Sequence, residues 1–219
     1  MATSGTYTWR PTVGEVMEEA LERAEVTPTV DRIRSARRSL QVILLEWANV
    51  MPATWQIDRV SGTLVTGTPA FTLATQYHDI LAMVLRRSGS DTPVESWGRE
   101  DYLKTPKKTT TGRPQRYWAD RQRDQIIVTL WPVPENSTDV VIYDAIRIPQ
   151  DVSTQEEHPD IAKLFYPALF SRLASDLAVK WNAAKAPFLM PLAAEAYHKA
   201  LIENRERGDT RLVIVRGRR

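Results

Sequence analysis

The stretch Lys108–Pro134, KTTTGRPQRYWADRQRDQIIVTLWPVP, decides the fold that we predict for this chain. It is expected to form a turn, a strand, a charged hairpin tip at 120–124 and a second strand. Gly112 allows a positive φ in the turn, and Pro114 forces the residue before it into an extended backbone. The β-branched and aromatic run 125–131 is typical of a half-buried strand, and the prolines that follow should end the ladder.

Polarity with a period of two predicts further strands on both sides of this pair. Turns are expected at Ser61–Gly62 and Ser88–Asp91, and Gly98–Thr105 is expected to be a short helix. The predicted strands are Trp55–Arg59, Thr63–Thr66, Ala70–Leu73, Ile80–Arg86, Thr92–Trp97 and Asp139–Ile148. With the central pair they make a mainly antiparallel β domain of about seven strands.

Helical periodicity brackets this β domain on its N-terminal side. Thr12 and Glu15 have the spacing of a capping box, so a first helix is predicted from Val13 to about Glu25. Thr27 is the expected N-cap of a second, long helix that ends near Pro52. Each of these helices should bury one apolar stripe.

Two more helices are predicted after the polar linker 149–157. The first runs from Pro159 to Trp181, and Pro167 inside it should bend it. The second is Leu192–Glu206, which Gly208 should end.

The predicted fold class is therefore α+β. The helices of 1–52 and 150–208, about four in number, form a helical body. The β domain 53–149, with its short helix near 98–105, is inserted in that body, and residues 209–219 form an extended C-terminal arm.

Composition and motifs give little sign of chemistry. The chain has 29 basic and 27 acidic residues and no cysteine, which excludes disulfides and thiol chemistry. His78, His158 and His198 lack metal-ligand spacing, and neither a phosphate-binding glycine loop nor a GxSxG motif occurs. We therefore expect no catalytic residue, metal or cofactor. Carboxylate pairs such as Glu156 and Glu157 are interpreted as solvated, with cell-wall hydrolysis a minor alternative.

No signal peptide and no apolar run long enough to cross a bilayer is found, so we expect a protein that stays in the cytosol and has no membrane partner.

Two charge clusters on the first two helices invite competing interpretations. The first helix has an acidic face, which is either solvated or in contact with a basic partner. The second helix carries Arg34, Arg37 and Arg38 in its first half. These arginines are interpreted as partners of the acidic first helix, as an interface between subunits or as contacts to DNA.

The central stretch is both basic and aromatic. Residues 99–124 hold eight basic and four acidic residues, with Tyr102, Tyr117 and Trp118 among them. This is the footprint of single-strand binders, although strand alternation lets Trp118 belong to the core. The alternatives are a nucleic-acid-binding module, a loop facing a neighbouring subunit or another partner protein, and an ordinary solvated loop.

The motifs TTTGRPQRYW and IIVTLWPVP resemble those of the head-to-tail adaptor proteins of tailed bacteriophages, the group with tail accessory factors and tail tubular protein A. Three helical stretches sit where that family has them: TVDRIRSARRSLQVILLEW, SWGREDYLKTP and HPDIAKLFYPALFSRLASDLAVKW. The similarity covers roughly residues 13–207, and it concerns fold and role, since none of these motifs is catalytic.

The resemblance implies a structural virion protein of the neck, assembled in the host cytoplasm as a dodecameric ring between portal and tail. Its implied partners are the portal ring, neighbouring copies, a tail or nozzle protein and, transiently and without specificity, the DNA in the channel.

Residues are assigned to these partners as follows. The arm residues expected to bind the portal, or alternatively a neighbouring subunit, are Arg211, Leu212, Val213, Ile214, Val215, Arg216, Arg218 and Arg219. Packing on the chain's own β domain and disorder are the other readings of this arm. The residues expected to face a neighbouring subunit or the tail are Arg34, Arg37, Arg38, Lys107, Lys108, Arg113, Arg121 and Arg123.

Overall fold

The structure, a computed structural model, describes residues 5–50 and 54–204. Five α-helices lie in these ranges: α1 (Val13–Arg23), α2 (Val30–Val50), α3 (Arg99–Lys104), α4 (Tyr166–Trp181) and α5 (Ala186–Glu203). The strands are β1 (Ile57–Thr63), β2 (Ala70–Thr72), β3 (Tyr77–Arg87), β4 (Ser90–Ser96), β5 (Thr111–Gly112), β6 (Arg116–Arg121), β7 (Ile126–Trp131), β8 (Val133–Pro134) and β9 (Val140–Arg147). The chain divides into two compact units, Met1–Ile43 with Val152–Arg219 and Leu44–Asp151.

Seven strands form one curled sheet in the order β1-β9-β3-β4-β6-β7-β2. Every neighbouring pair in it is antiparallel except β4 and β6, which run parallel. The short strands β5 and β8 form a separate parallel pair. The predicted α+β class with a mainly antiparallel sheet is confirmed.

The core of the sheet unit lies on one face of these strands. Leu85, Val128 and Ala145 are fully buried there, and Tyr117 and Leu130 are nearly so. Tyr117 and Leu130 are directly paired across β6 and β7, so their neighbours along each strand point to the other face. Trp118 is therefore on the face opposite the core, and its interpretation as a core residue is wrong.

The predicted turn at Ser61–Gly62 is also wrong, because β1 runs straight through these residues. Ser61 pairs with Ile142, and Gly62 pairs with Val141. A Cβ on Gly62 would lie 3.6 Å from a Val141 methyl, an ordinary contact. Non-local pairing with β9 has overridden the local turn propensity of Ser-Gly.

The hairpin between β3 and β4 is confirmed. Its two central residues, Ser88 and Gly89, have positive φ values of 51° and 80°. Positive φ at both positions matches the right-handed twist of the flanking strands.

The helical unit begins with the predicted capping box. The Thr12 hydroxyl accepts from the Glu15 N–H at 3.2 Å, and the Glu15 carboxylate accepts from the Thr12 N–H at 2.6 Å. The second helix starts later than predicted, at Val30. Thr29 takes the capping position that was assigned to Thr27, since its hydroxyl accepts from the Arg32 N–H at 3.4 Å.

Three predictions about the C-terminal helices need correction. Pro167 lies in the first turn of α4, where a missing N–H costs no helical hydrogen bond, so it does not bend the helix. A short 3-10 turn, Lys163–Phe165, replaces the predicted first part of α4. The next helix starts at Ala186 and contains Pro191, whereas the prediction started it at Leu192. The predicted end at Gly208 lies outside the described residues.

The predicted polar linker is in part an ordered cap for α1. The N–H groups of Val13 and Gly14 donate to the carbonyls of Glu157 and Gln155 at 2.7 and 2.8 Å. The Glu157 carboxylate in turn accepts from the backbone N–H groups of Ser153 and Thr154, 2.8 and 3.1 Å away. The free donors of the first turn of α1 are thereby satisfied.

Candidate assembly surfaces

The two motifs that carry the family resemblance are paired with each other. Thr111 faces Val133 in the parallel β5–β8 pair, and the Val133 N–H donates to the Thr110 carbonyl at 2.8 Å. Gly112 lies against Pro132, where an added Cβ would be 3.5 Å from the ring. The TGRP and LWPVP segments therefore form one structural element, although Gly112 and Leu130 are 18 positions apart in the sequence.

A row of aromatic and cationic side chains extends from this element. The ring centres of Trp97 and Trp131 are 5.3 Å apart in a stacked arrangement. The Arg116 guanidinium lies 4.6 Å from the centre of the Trp97 ring and pairs with Glu95 at 3.4 Å. The indole N–H of Trp131 donates to the Lys107 carbonyl at 3.2 Å. This row lies on the face of the sheet opposite the core.

A second row of the same kind fixes α3 to β6. Tyr102 and Trp118 stack with ring centres 5.0 Å apart. The Arg99 guanidinium is 5.6 Å from the Trp118 ring centre, and the Lys108 ammonium is 5.3 Å from that of Tyr102. Lys108 also donates to the carbonyls of Leu103 and Thr105 at the end of α3, both at 3.2 Å. Cations stacked on aromatic rings here stabilise the chain itself.

Most basic residues of 99–124 are bound to carboxylates of their own chain. Arg99 pairs with Asp120 at 2.6 Å, and Lys104 pairs with Glu100 at 3.3 Å. Arg121 forms an ion pair with Asp79. The stretch therefore presents alternating charge, and not the continuous positive field that captures a phosphate backbone.

The other β-domain residues that were predicted to face a neighbouring subunit or the tail differ in how many contacts they make within the chain. Arg113 donates to the Thr92 hydroxyl at 2.6 Å and is half-buried. Arg123 pairs with its neighbour Asp124 at 3.5 Å at the exposed hairpin tip. The Lys107 side chain is exposed. Of this set, Lys107 and Arg123 lie open to a partner, while Lys108, Arg113 and Arg121 bind within the chain.

In the helical unit, the arginines of α2 do not pair with the acidic α1. The guanidinium of Arg37 donates to the Ser153 carbonyl. Arg32 donates to the Thr27 carbonyl at 2.8 Å. Within residues 5–50 and 54–204 no ion pair joins an α2 arginine to an α1 carboxylate, so that interpretation is wrong.

Arg34 and Arg38 lie exposed on α2, as do Glu18 and Glu22 on α1. No ion pair or side-chain hydrogen bond engages any of the four among the described residues. Within the described part of this unit, two oppositely charged surfaces are thus left without a partner.

An open apolar groove of about 510 Å³ runs along α5. Leu164, Pro167, Leu192 and Ala196 line it, together with charged residues that include Arg23 and Glu203. Further along the same helix Phe188 is 73% exposed. Large exposed apolar patches on folded proteins can serve as interaction surfaces.

The histidines do not assemble into a site. Burial lowers the pKa of His78, which lies at an irregularity of β3. The ring of His158 contacts the Pro11 carbonyl at 3.2 Å, and His198 is exposed on α5. The described residues contain no group of three or more histidine and carboxylate side chains that could hold a metal ion.

The residues predicted to dock on the portal, Arg211, Leu212, Val213, Ile214, Val215, Arg216, Arg218 and Arg219, lie outside the described residues. None of the helices in the described ranges is both long and apolar enough to span a membrane.

The sequence prediction missed the Trp97–Trp131 stack and the groove along α5. The stack had a signal, since Trp131 belongs to a quoted motif and Trp97 ends a predicted strand. The groove had a weaker signal: the run APFLMPLAA is apolar at every helical position, which indicates contacts on every side of the helix.

Comparison with known families identifies the class of protein. The sequence model of the SU10 adaptor proteins matches residues 11–215, nearly the whole chain. The chain therefore belongs to the SU10 adaptor protein family. It is a phage adaptor-type structural protein. Proteins of this class interact with other phage structural proteins and are components of the virion. A search of curated proteins finds no match.

Proposed function

We propose that the chain is a head-to-tail adaptor that forms a ring between portal and tail and completes the neck through which DNA passes. The observation that carries this proposal is the family match over residues 11–215, which includes both paired motifs. The ring is dodecameric, as the resemblance of those motifs to the head-to-tail adaptors implies, and assembly takes place in the host cytoplasm.

The portal is the template in this proposal. The C-terminal arm 209–219 docks on the portal, where strand addition would give its Leu212–Val215 run main-chain hydrogen bonds. Docked copies meet their neighbours at a high effective concentration, so each lateral contact can be weak. Free subunits then remain monomeric until a portal is present.

The sheet unit faces the tail or nozzle protein in this proposal. Lys107 and Arg123 are the predicted residues that lie open there. The two aromatic rows stiffen the base of the β6–β7 hairpin, because each row joins separate strands or a strand and a helix. A rigid base lets the hairpin tip present its charges at a fixed position.

Contact with DNA in the channel is transient and non-specific. The self-paired arginines Arg99 and Arg121 favour this reading over a nucleic-acid-binding module, because their charge is already compensated. Tight binding would also hinder the passage of the genome.

We further propose that the protein is not an enzyme. A glycosidase needs one carboxyl group with a raised pKa. In the pair Glu156 and Glu157, hydrogen bonds from the Thr154 and Ser153 N–H groups lower the pKa of Glu157. A cell-wall clearing assay tests this point, and clearing above the level of a buffer control would contradict it.

The direct test of the adaptor role is electron microscopy of the portal from the same phage, alone and after addition of the purified chain. The proposal expects an extra ring of density on one face of the portal. Unchanged portal particles at saturating amounts of the chain would contradict it.

A further inference from the structure

The exposed face of α1 carries two carboxylates that have no ion pair among the described residues. Glu18 and Glu22 lie four residues apart, on the same side of the helix, and both are exposed. Nearby carboxylates have found partners: Glu19 pairs with Arg23 at 2.7 Å, and Glu25 pairs with Lys185. We call Glu18 and Glu22 the acidic stripe.

One side of α2 is exposed and combines basic with apolar residues. Val30, Arg34, Arg38 and Val42 follow one another at intervals of four, and all four are exposed. Val30 and Val42 are 69% and 62% exposed, which is unusual for valine on a helix of a packed unit. We call these four residues the basic stripe.

Neighbouring basic residues on the same unit are occupied. Lys180 donates to the hydroxyls of Ser35 and Ser39, 3.1 and 2.5 Å away. Arg37, between the two stripe arginines in sequence, donates to a backbone carbonyl. Unlike these neighbours, Arg34 and Arg38 make neither an ion pair nor a side-chain hydrogen bond among the described residues.

We propose that the acidic stripe of one copy binds the basic stripe of the next copy. This inference rests on the proposed function, because it supplies the lateral contact of the ring. Each carboxylate can accept two hydrogen bonds from one guanidinium group. Val30 and Val42, at the two ends of the basic stripe, add apolar contact area. The partner is a second copy of this chain, chosen by charge complementarity.

The contact is heterologous, since it joins two different surfaces of the same chain. A copy bound through its acidic stripe still offers its basic stripe, so the contact propagates from copy to copy and closes into a ring where the rotation permits. A two-fold contact of either stripe with itself would bring like charges together and is unfavourable. Exposed ion pairs contribute little free energy each, which agrees with subunits that associate weakly without a template.

Cysteine cross-linking tests the contact directly, because the chain has no cysteine of its own. One variant carries Glu22→Cys, and a second variant of different mass carries Arg38→Cys. The two variants are mixed, with and without the portal, and a short bis-maleimide is then added. His198→Cys, exposed on α5, replaces Glu22→Cys in the matched control.

The expected product is the mixed dimer, in at least about tenfold excess over either homodimer, which corresponds to a preference of about 1.4 kcal/mol. Added salt should reduce that excess. A statistical distribution of products, a dominant homodimer, or an equal yield with His198→Cys would overturn the proposal.

Charge reversal separates this inference from the proposed function. Glu18→Arg/Glu22→Arg and Arg34→Glu/Arg38→Glu should each fail to fill the ring on the portal, whereas a mixture of the two variants should fill it with alternating copies. If each variant fills the ring alone, the stripe contact is wrong and the adaptor role stands. If the unmodified chain does not add to the portal, the adaptor role fails irrespective of the stripes.

Discussion

Trp97 stacks on Trp131, with 5.3 Å between their ring centres, and so connects the end of β4 to the end of β7. The two strands are not neighbours in the sheet, since β6 lies between them. Arg116 of β6 lies directly opposite Trp131 and contacts the ring of Trp97. Three strands are thus held together on the face away from the core, next to the pair formed by the TGRP and LWPVP segments.

Removing this stack should destabilise the sheet unit. Trp97→Ala is expected to lower the free energy of unfolding by about 2 kcal/mol, because it removes aromatic contacts with both Trp131 and Arg116. Trp97→Phe should retain most of that stability. Urea denaturation followed by circular dichroism measures both. Trp9→Ala, at a residue that is 65% exposed, serves as a control with a smaller loss, and an unchanged midpoint for Trp97→Ala would contradict the account.

Adjacent arginines on β3 offer a matched pair for testing burial. Arg87 pairs with Asp139, which is 1% exposed, and also with Glu135. Arg86 pairs with Asp91, and both side chains are substantially exposed. Arg87→Met should lower the melting temperature by roughly 5 to 10 °C, since it leaves a buried carboxylate without its partner.

Arg86→Met should change the melting temperature much less, because an exposed pair is worth little. Differential scanning calorimetry measures both melting temperatures. Equal decreases for the two variants would show that burial of the carboxylate does not determine the loss of stability.

The cap on α1 predicts that the stability of the helical unit depends on pH through Glu157. Hydrogen bonds from the Thr154 and Ser153 N–H groups lower the pKa of Glu157. A lowered pKa in the folded state means that Glu157 contributes stability above its unfolded pKa, and that this contribution is lost as the pH falls through the folded value. Melting temperatures from neutral pH downward should therefore converge for wild type and Glu157→Gln. A constant gap between them down to the lowest pH would contradict this origin.

Affinity for DNA should be weak and should rise when the internal ion pairs are broken. Binding to duplex DNA is expected to be weaker than about 10⁻⁶ M at physiological salt. Asp79→Asn/Asp120→Asn frees Arg121 and Arg99 and should tighten binding in a filter assay. Glu100→Gln, which frees only the exposed Lys104, is the control. Tight, salt-dependent binding by the unmodified chain would favour the nucleic-acid-binding alternative.

Local signals in the sequence predicted the elements that local physics controls. The capping box of Thr12 and Glu15 and the turn at Ser88–Gly89 depend on residues a few positions apart, and both are present as predicted. Ser61 and Gly62 have the same local turn chemistry, yet pairing with Ile142 and Val141 keeps them in a strand. A distant partner decided the outcome there, and a single sequence does not reveal it.

The candidate surfaces show the same limit. The charges of α1 and α2 are evident in the sequence, and pairing within the chain was the simplest expectation. Only the structure shows that Arg37 is turned toward Ser153 while Arg34 and Arg38 remain exposed. Likewise each motif is evident in the sequence on its own, and only the topology shows their direct pairing through Thr111 and Val133.

The central claim is most directly tested by native mass spectrometry of the portal from the same phage mixed with the chain, either full-length or ending at Gly208. The account predicts that the full-length chain adds to the portal as a complete ring, and that the shortened chain does not. Failure of the full-length chain to add would contradict the adaptor role. Complete rings from both forms would contradict the role of the arm.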